Sequence, residues 1–228
     1  EATADLLASS DVQLVFQSVK AGAIVRLNGH ELGRLDTQFM RFSFPVHSLL
    51  RLGRNELRVT FAVAVDTHGR YMTCTGGDDW APYTPTLDQH SSLSGLNTSH
   101  TFTRGIIRSV SLAATTKGSL LIEEVSPFVH HLGEYPTAPL TAQTAGPWRV
   151  EVCTHILVPA GVTANGNLHV SGNWSVTAHA QASTNELGAG RHAICLNITA
   201  TNPELWWPNG LGKQRLYTVS VGFKPMDG

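Results

Sequence analysis

Apolar and polar residues alternate along much of the chain with a period of two, which predicts strands with one face buried. Val12-Gln13-Leu14-Val15-Phe16 and Ala23-Ile24-Val25-Arg26-Leu27 open the series. Asn28-Gly29 follows, and since both residues tolerate positive φ it predicts a two-residue type I′ turn, with His30-Glu31-Leu32-Gly33 starting the return strand. Phe39 to Phe44 alternates again until Pro45, Val46 to Arg51 reads as a turn or helical loop, and Glu56 to Val63 is a strand after the Gly53-Arg54-Asn55 turn. Gly105 to Leu112 is a further strand. Beyond it the pattern predicts strands over Leu120 to Val125, Trp148 to Ile156, Leu168 to Val170, Trp174 to Ala180, His192 to Ile198 and Leu216 to Val221, separated by Gly, Pro and Asn turns. A helical period of ten or more residues does not occur. The expected class is all-β, without alternating βα units.

Two features divide this series. Residues 66–103 are irregular, with Gly76-Gly77, Pro82, Pro85 and a polar run from Gln89 to His100, and a loop of that length is commonly functional or disordered. The composition breaks at Ala113 to Gly118, which predicts two domains, 1–117 and 118–228. The 42% apolar residues can supply their cores, while a formal net charge of −1 argues against nucleic-acid or anionic-membrane partners. A run of 18 apolar residues is absent, so a membrane-spanning helix is not expected, and Glu1-Ala2-Thr3-Ala4-Asp5 carries no basic leader pattern. Cys74, Cys153 and Cys195 form no Cys-x-x-Cys pair, and the single histidine pair, His130-His131, points to opposite faces of a strand. We therefore expect neither a metal site nor a cofactor.

Four stretches carry a family resemblance. Ile24 to Gly33, with Leu27-Asn28-Gly29 at its centre, and Leu49 to Val59, with Gly53-Arg54-Asn55-Glu56-Leu57, resemble the galactose-binding-like jelly roll that opens family 2 glycoside hydrolases. Met72-Thr73-Cys74-Thr75-Gly76-Gly77-Asp78-Asp79-Trp80-Ala81-Pro82 resembles the β-mannosidase loop Met-x-Cys-x-Phe-Gly-Trp-Asp-Trp-Gly-Pro, departing from it at Gly76, Asp78 and Ala81. Gly105 to Leu112 is similar to the strand that closes the jelly roll. Leu205-Trp206-Trp207-Pro208-Asn209-Gly210-Leu211-Gly212-Lys213-Gln214-Arg215-Leu216-Tyr217 is similar to the end of the family's immunoglobulin-like second domain. The resemblance implies a galactose-binding-like jelly-roll sandwich, incomplete at its N-terminus, followed by an immunoglobulin-like β-sandwich. It implies that Asp79 contacts substrate, with Trp80 as its packing support or a sugar-stacking surface. It also implies a partner: a TIM-barrel catalytic domain, outside this chain, that carries both catalytic carboxylates.

Each candidate has a plainer reading. Asp79 after two glycines also suits a turn cap. Trp206-Trp207 before Pro208 suits a structural corner with one ring in the core, and this is the reading adopted. Asn185-Glu186 matches the family's acid/base dipeptide, but its place between two predicted strands makes it a hairpin connection. Cys153, Trp174 and Cys195 resemble the disulfide and buried tryptophan of antibody-like sandwiches, although two buried thiols would fit the same pattern. Cys74 reads as a free thiol behind the loop. Asn97, Asn173 and Asn197 each head an Asn-x-Ser/Thr glycosylation triplet, compatible with a lysosomal or secreted protein.

The expected function is the non-catalytic front portion of a retaining exo-β-glycosidase acting on terminal β-linked sugars, β-mannosides first. In it the chain supplies a pocket-wall loop and braces the barrel, without turnover of its own. The alternatives are a stand-alone carbohydrate-binding or adhesion module and a degenerate, non-catalytic family member.

Overall fold

The computed structural model describes residues 1–20, 22–61, 105–134, 137 and 146–226. The chain divides into two compact units, Glu1–Ala114 and Thr115–Gly228. Both are built from antiparallel strands; the helical structure among the described residues is one turn at Ala4–Leu7 and a 3-10 turn at His47–Leu49.

The first unit contains β1 (Asp11–Phe16), β2 (Val19–Lys20), β3 (Ala23–Leu27), β4 (His30–Leu35), β5 (Phe42–Pro45), β6 (Leu57–Phe61), β7 (Gly105–Ile106) and β8 (Val110–Thr115). They pair in the orders β5-β1-β8, β4-β3-β6 and β2-β7. β1 and β3 are the central strands of the two larger sheets. Val12, Leu14 and Phe16 of β1, Val25 and Leu27 of β3, and Leu35 of β4 share one buried cluster, so these sheets are the layers of a sandwich. β1 is buried on both faces, and its polar Gln13 is satisfied there: it donates to Asp11 Oδ2 at 2.6 Å and accepts from Ser43 Oγ at 3.0 Å.

The β3–β4 hairpin closes through Asn28 at φ 51° and Gly29 at φ 86°, as a type I′ turn requires. A bulge between Val25 and Arg26 interrupts the register, and Gly33 lies opposite Val25. A Cβ on Gly33 would sit 2.9 Å from the Phe44 ring, so this close approach requires glycine.

Two elements of this unit differ from the alternation. The strand predicted over Phe39 to Phe44 begins only at Phe42, because the Thr37 hydroxyl accepts the Phe39 N–H at 3.3 Å and holds a turn that leaves Phe39 and Met40 exposed. The strand predicted over Gly105 to Leu112 is two strands. At the break, the Ile107 and Arg108 N–H groups both donate to Ser18 O, at 3.2 and 3.4 Å, while Gln17 N–H donates to Ser109 O at 3.1 Å. The chain thus passes from pairing with β2 to pairing with β1.

The second unit contains β9 (Leu121–His131), β10 (Pro147–Val158), β11 (Ala164–Gly172), β12 (His179–Leu187), β13 (Gly190–Thr201) and β14 (Val219–Pro225). Two three-stranded sheets result, β13-β10-β9 and β12-β11-β14. The chain changes sheet between β10 and β11, between β12 and β13 and between β13 and β14, as in an immunoglobulin-like sandwich. Its core has two adjoining parts, one centred on Val150, Val152, Val170 and Ile198, the other on Leu120, Ile156, Val158 and Ala164.

Here too local polar contacts shorten predicted strands. Trp174 to Ala178 is a turn, with Ser175 O accepting Ala178 N–H at 3.0 Å, and β12 starts at His179. Leu216 is exposed outside any strand, and β14 starts at Val219 after the Asn173 side chain has accepted the Thr218 N–H at 2.9 Å. Asn185-Glu186 lies within β12 instead of in a connection, at a register shift where Glu186 takes φ 51°.

Candidate functional site

Asp79 and Trp80 lie outside the described residues, as do Cys74 and Asn97. What the structure defines is the frame on either side of them. Before them β6, which ends at Phe61, pairs with β3, and after them β7, which begins at Gly105, pairs with β2. Val59 and Phe61 pack against the buried cluster of the first unit, which fixes β6.

The two asparagines of the first resemblance form one network in this frame. Asn28 Nδ2 donates to Leu49 O and to Asn55 Oδ1, both at 2.8 Å, and Asn28 Oδ1 accepts the Glu56 N–H at 2.9 Å. Asn55 in turn accepts the Arg51 N–H at 2.9 Å and donates to Arg51 O at 2.7 Å and Gly53 O at 3.0 Å. The hairpin and the Gly-x-Asn corner, 27 residues apart, are thereby one polar clamp directly ahead of β6. The sequence identified both motifs and not their contact.

Beside this frame an open cleft of about 230 Å³ is lined mainly by Leu14, Leu27, Leu50, Leu57, Val110 and Leu112, with Asn55 and Ser111 as polar groups. Glu1 is the single carboxylate among its lining residues. A retaining glycosidase needs two, about 5 Å apart.

In the second unit, Trp206 and Trp207 occupy a tight corner. Trp206 pairs with Gln214, Trp207 N–H donates to Lys213 O at 2.9 Å, and the Trp207 ring lies over Gly212, where a Cβ would be 2.7 Å away. Trp207 is half-buried and Trp206 is 52% exposed, so the corner turns one ring outward. Tyr217 follows, its hydroxyl donating to Glu204 O at 3.2 Å and its ring meeting Trp174 edge-on at 6.1 Å. Leu211 and Leu216 are also exposed along this stretch.

The outer face of sheet β13-β10-β9 gathers the remaining candidates. Val150, Val152, Thr154 and Ile156 point inward and are buried, so Glu151, Cys153 and His155 point outward. Cys153 and Cys195 are direct partners in the β10–β13 register and are joined by a disulfide. The bridge links neighbours within one sheet, not the two sheets, and Cys195 is exposed. The reading of two buried thiols is therefore replaced; the inward alternation of Val150, Val152 and Thr154 was the signal for it. Trp174 is half-buried and packs against the core from the opposite sheet's end.

Asn197 and Thr199 share this outer face and are exposed, while Asn173 is exposed at the end of β11. His130 lies on it with Nε2 3.6 Å from Glu151 Oε2, whereas His131 turns inward and meets the Trp148 ring at 4.7 Å. Glu151, Cys153 and Cys195 are the one group of three potential metal ligands among the described residues, and the disulfide removes both thiolates from it.

Residues 1–82 match the glycosyl hydrolase 2 galactose-binding domain-like family. Over 98% of its length the chain is 24% identical to a β-mannosidase of Bos taurus, and over 92% it is 28% identical to a mannosylglycoprotein endo-β-mannosidase of Lilium longiflorum. It covers 25% and 22% of those proteins, so it spans about a quarter of the relatives it matches. Among solved structures, a β-D-mannosidase from Dictyoglomus thermophilum aligns with a TM-score of 0.63 at 22% identity, over 98% of this chain and 26% of that one. An exo-chitosanase from Amycolatopsis orientalis aligns with a TM-score of 0.62 at 18% identity, over 99% of this chain and 24% of that one. At those identities the likeness is one of fold. The family match thus falls within the first unit, Glu1–Ala114.

Proposed function

We propose that this chain is the non-catalytic N-terminal portion of a retaining exo-β-glycosidase acting on terminal β-mannosides. The observation that carries the reading is the match to β-mannosidases along nearly the whole chain, in one continuous order, at a quarter of their length. The first unit would present the loop carrying Asp79 and Trp80 to the sugar, its ends set by β6, β7 and the Asn28–Asn55 clamp. The second unit would brace a TIM barrel, and the exposed Trp206, Leu211 and Leu216 support that role as apolar surface suited to a neighbouring domain. The barrel would carry the two carboxylates, one protonating the leaving oxygen and the other forming the glycosyl intermediate. The exposed disulfide supports folding in an oxidising compartment, hence a lysosomal or secreted protein.

The test is to assay the isolated chain on an aryl β-mannoside and titrate it calorimetrically with mannose, glucosamine and galactose at millimolar concentrations. No hydrolysis and no saturable heat are expected, since a pocket wall without its barrel encloses no sugar. Saturable binding would establish a self-sufficient carbohydrate-binding module in place of the front portion of an enzyme.

A further inference from the structure

Three sequence positions head glycosylation triplets, and the fold treats the two described ones differently. Asn173 is a structural part: its side-chain oxygen accepts the Thr218 N–H at 2.9 Å and its own N–H donates to Thr218 O at 3.1 Å, which together set the approach to β14. Asn197 has no such duty. It lies in β13 with its side chain on the outer face of sheet β13-β10-β9, and Thr199, the third residue of its triplet, is exposed on the same face.

The register places a distinctive neighbour beside it. Asn197 pairs with Glu151, and Glu151 pairs on its other side with Phe128 of β9. Phe128 shares this face and is 50% exposed, a half-uncovered aromatic ring on the second strand over. Strands in a sheet are about 4.8 Å apart, so the ring lies about 10 Å from the Asn197 backbone. That is the reach of the first sugars of an N-linked glycan. Sugar rings offer C–H faces that pack on aromatic rings, and Glu151, lying between the two positions, offers an acceptor to sugar hydroxyls. The Cys153–Cys195 bond, two residues along the same face, ties the site to a compartment in which glycans are added.

We propose that Asn197 carries an N-linked glycan whose first residues lie across Glu151 onto the Phe128 ring, covering the outer face of this sheet. The proposal rests on the secretory reading and not on the identity of the parent glycosidase. The test is to secrete the chain from eukaryotic cells, map asparagine conversion by peptide mass spectrometry after N-glycosidase digestion in heavy-oxygen water, and melt the protein with and without its glycan. Asn197 should be converted, and the signal should vanish in Asn197→Gln. Removing the glycan should lower Tm by a few degrees in the native sequence and leave Tm unchanged in Phe128→Ala. An unmodified Asn197 in secreted protein with an intact Cys153–Cys195 bond would overturn the site while leaving the secretory reading in place. An equal fall in Tm with and without Phe128 would overturn the sugar–ring contact.

Discussion

Asn28 serves the fold in two separable ways. Its backbone takes φ 51° in the hairpin turn, and its side chain makes three hydrogen bonds to the Leu49–Glu56 corner. Glycine can keep the first and loses the second; alanine loses both, and a left-handed conformation costs a residue with a Cβ about 1–2 kcal/mol. Asn28→Gly is expected to lose about 2 kcal/mol from the missing side-chain bonds, and Asn28→Ala about 1 kcal/mol more. Urea unfolding monitored by tryptophan fluorescence measures both, and equal losses would remove the conformational half of the argument. The turn was legible because Asn-Gly has a local conformational preference. The clamp was not, because nothing in the spacing of Asn28 and Asn55 states that their side chains meet.

Among the elements, β10 and β13 form the longest ladder, 12 residues each, with the Cys153–Cys195 bond near its centre. The core residues Val152 and Ile198 lie on the other face from the bridge, so breaking it leaves the packing intact. Its contribution is then the entropy removed from an unfolded loop spanning 42 residues, about 4 kcal/mol. Cys153→Ser with Cys195→Ser should lower guanidinium stability by that amount and leave the far-ultraviolet dichroism of the native state unchanged; loss of sheet signal would show that the bond also shapes the ladder. Alternation predicted β1, β3, β10 and β13 because each buries one face or both against a core. It overran at Phe39, Trp174 and Leu216, where a side-chain hydrogen bond to the backbone or a tight turn replaces the ladder. One short pairing, β2 with β7, has too few residues to show a period at all.

For the whole molecule, the all-β class was legible from the absence of any helical period and the regular recurrence of turns. Asp79 and Trp80 are candidates by resemblance alone, since an Asp after two glycines has the same local pattern in an ordinary turn. Under the proposed function, their role belongs to the complete enzyme. Asp79→Ala in the full-length glycosidase is expected to reduce kcat/KM on an aryl β-mannoside by about 10- to 100-fold, the worth of one hydrogen bond from a charged group. An unchanged kcat/KM would assign Asp79 to the turn alone. The bond between Cys153 and Cys195 has a further effect on the chain as a length of polymer. Pulled from its two ends, the protein can unravel only outside that closed loop. The 42-residue span between the cysteines, about 140 Å of contour, would stay slack however far the rest is stretched. Because β11 and β12 lie wholly inside the span, two of the six strands of the second sandwich are shielded from tension carried along the backbone.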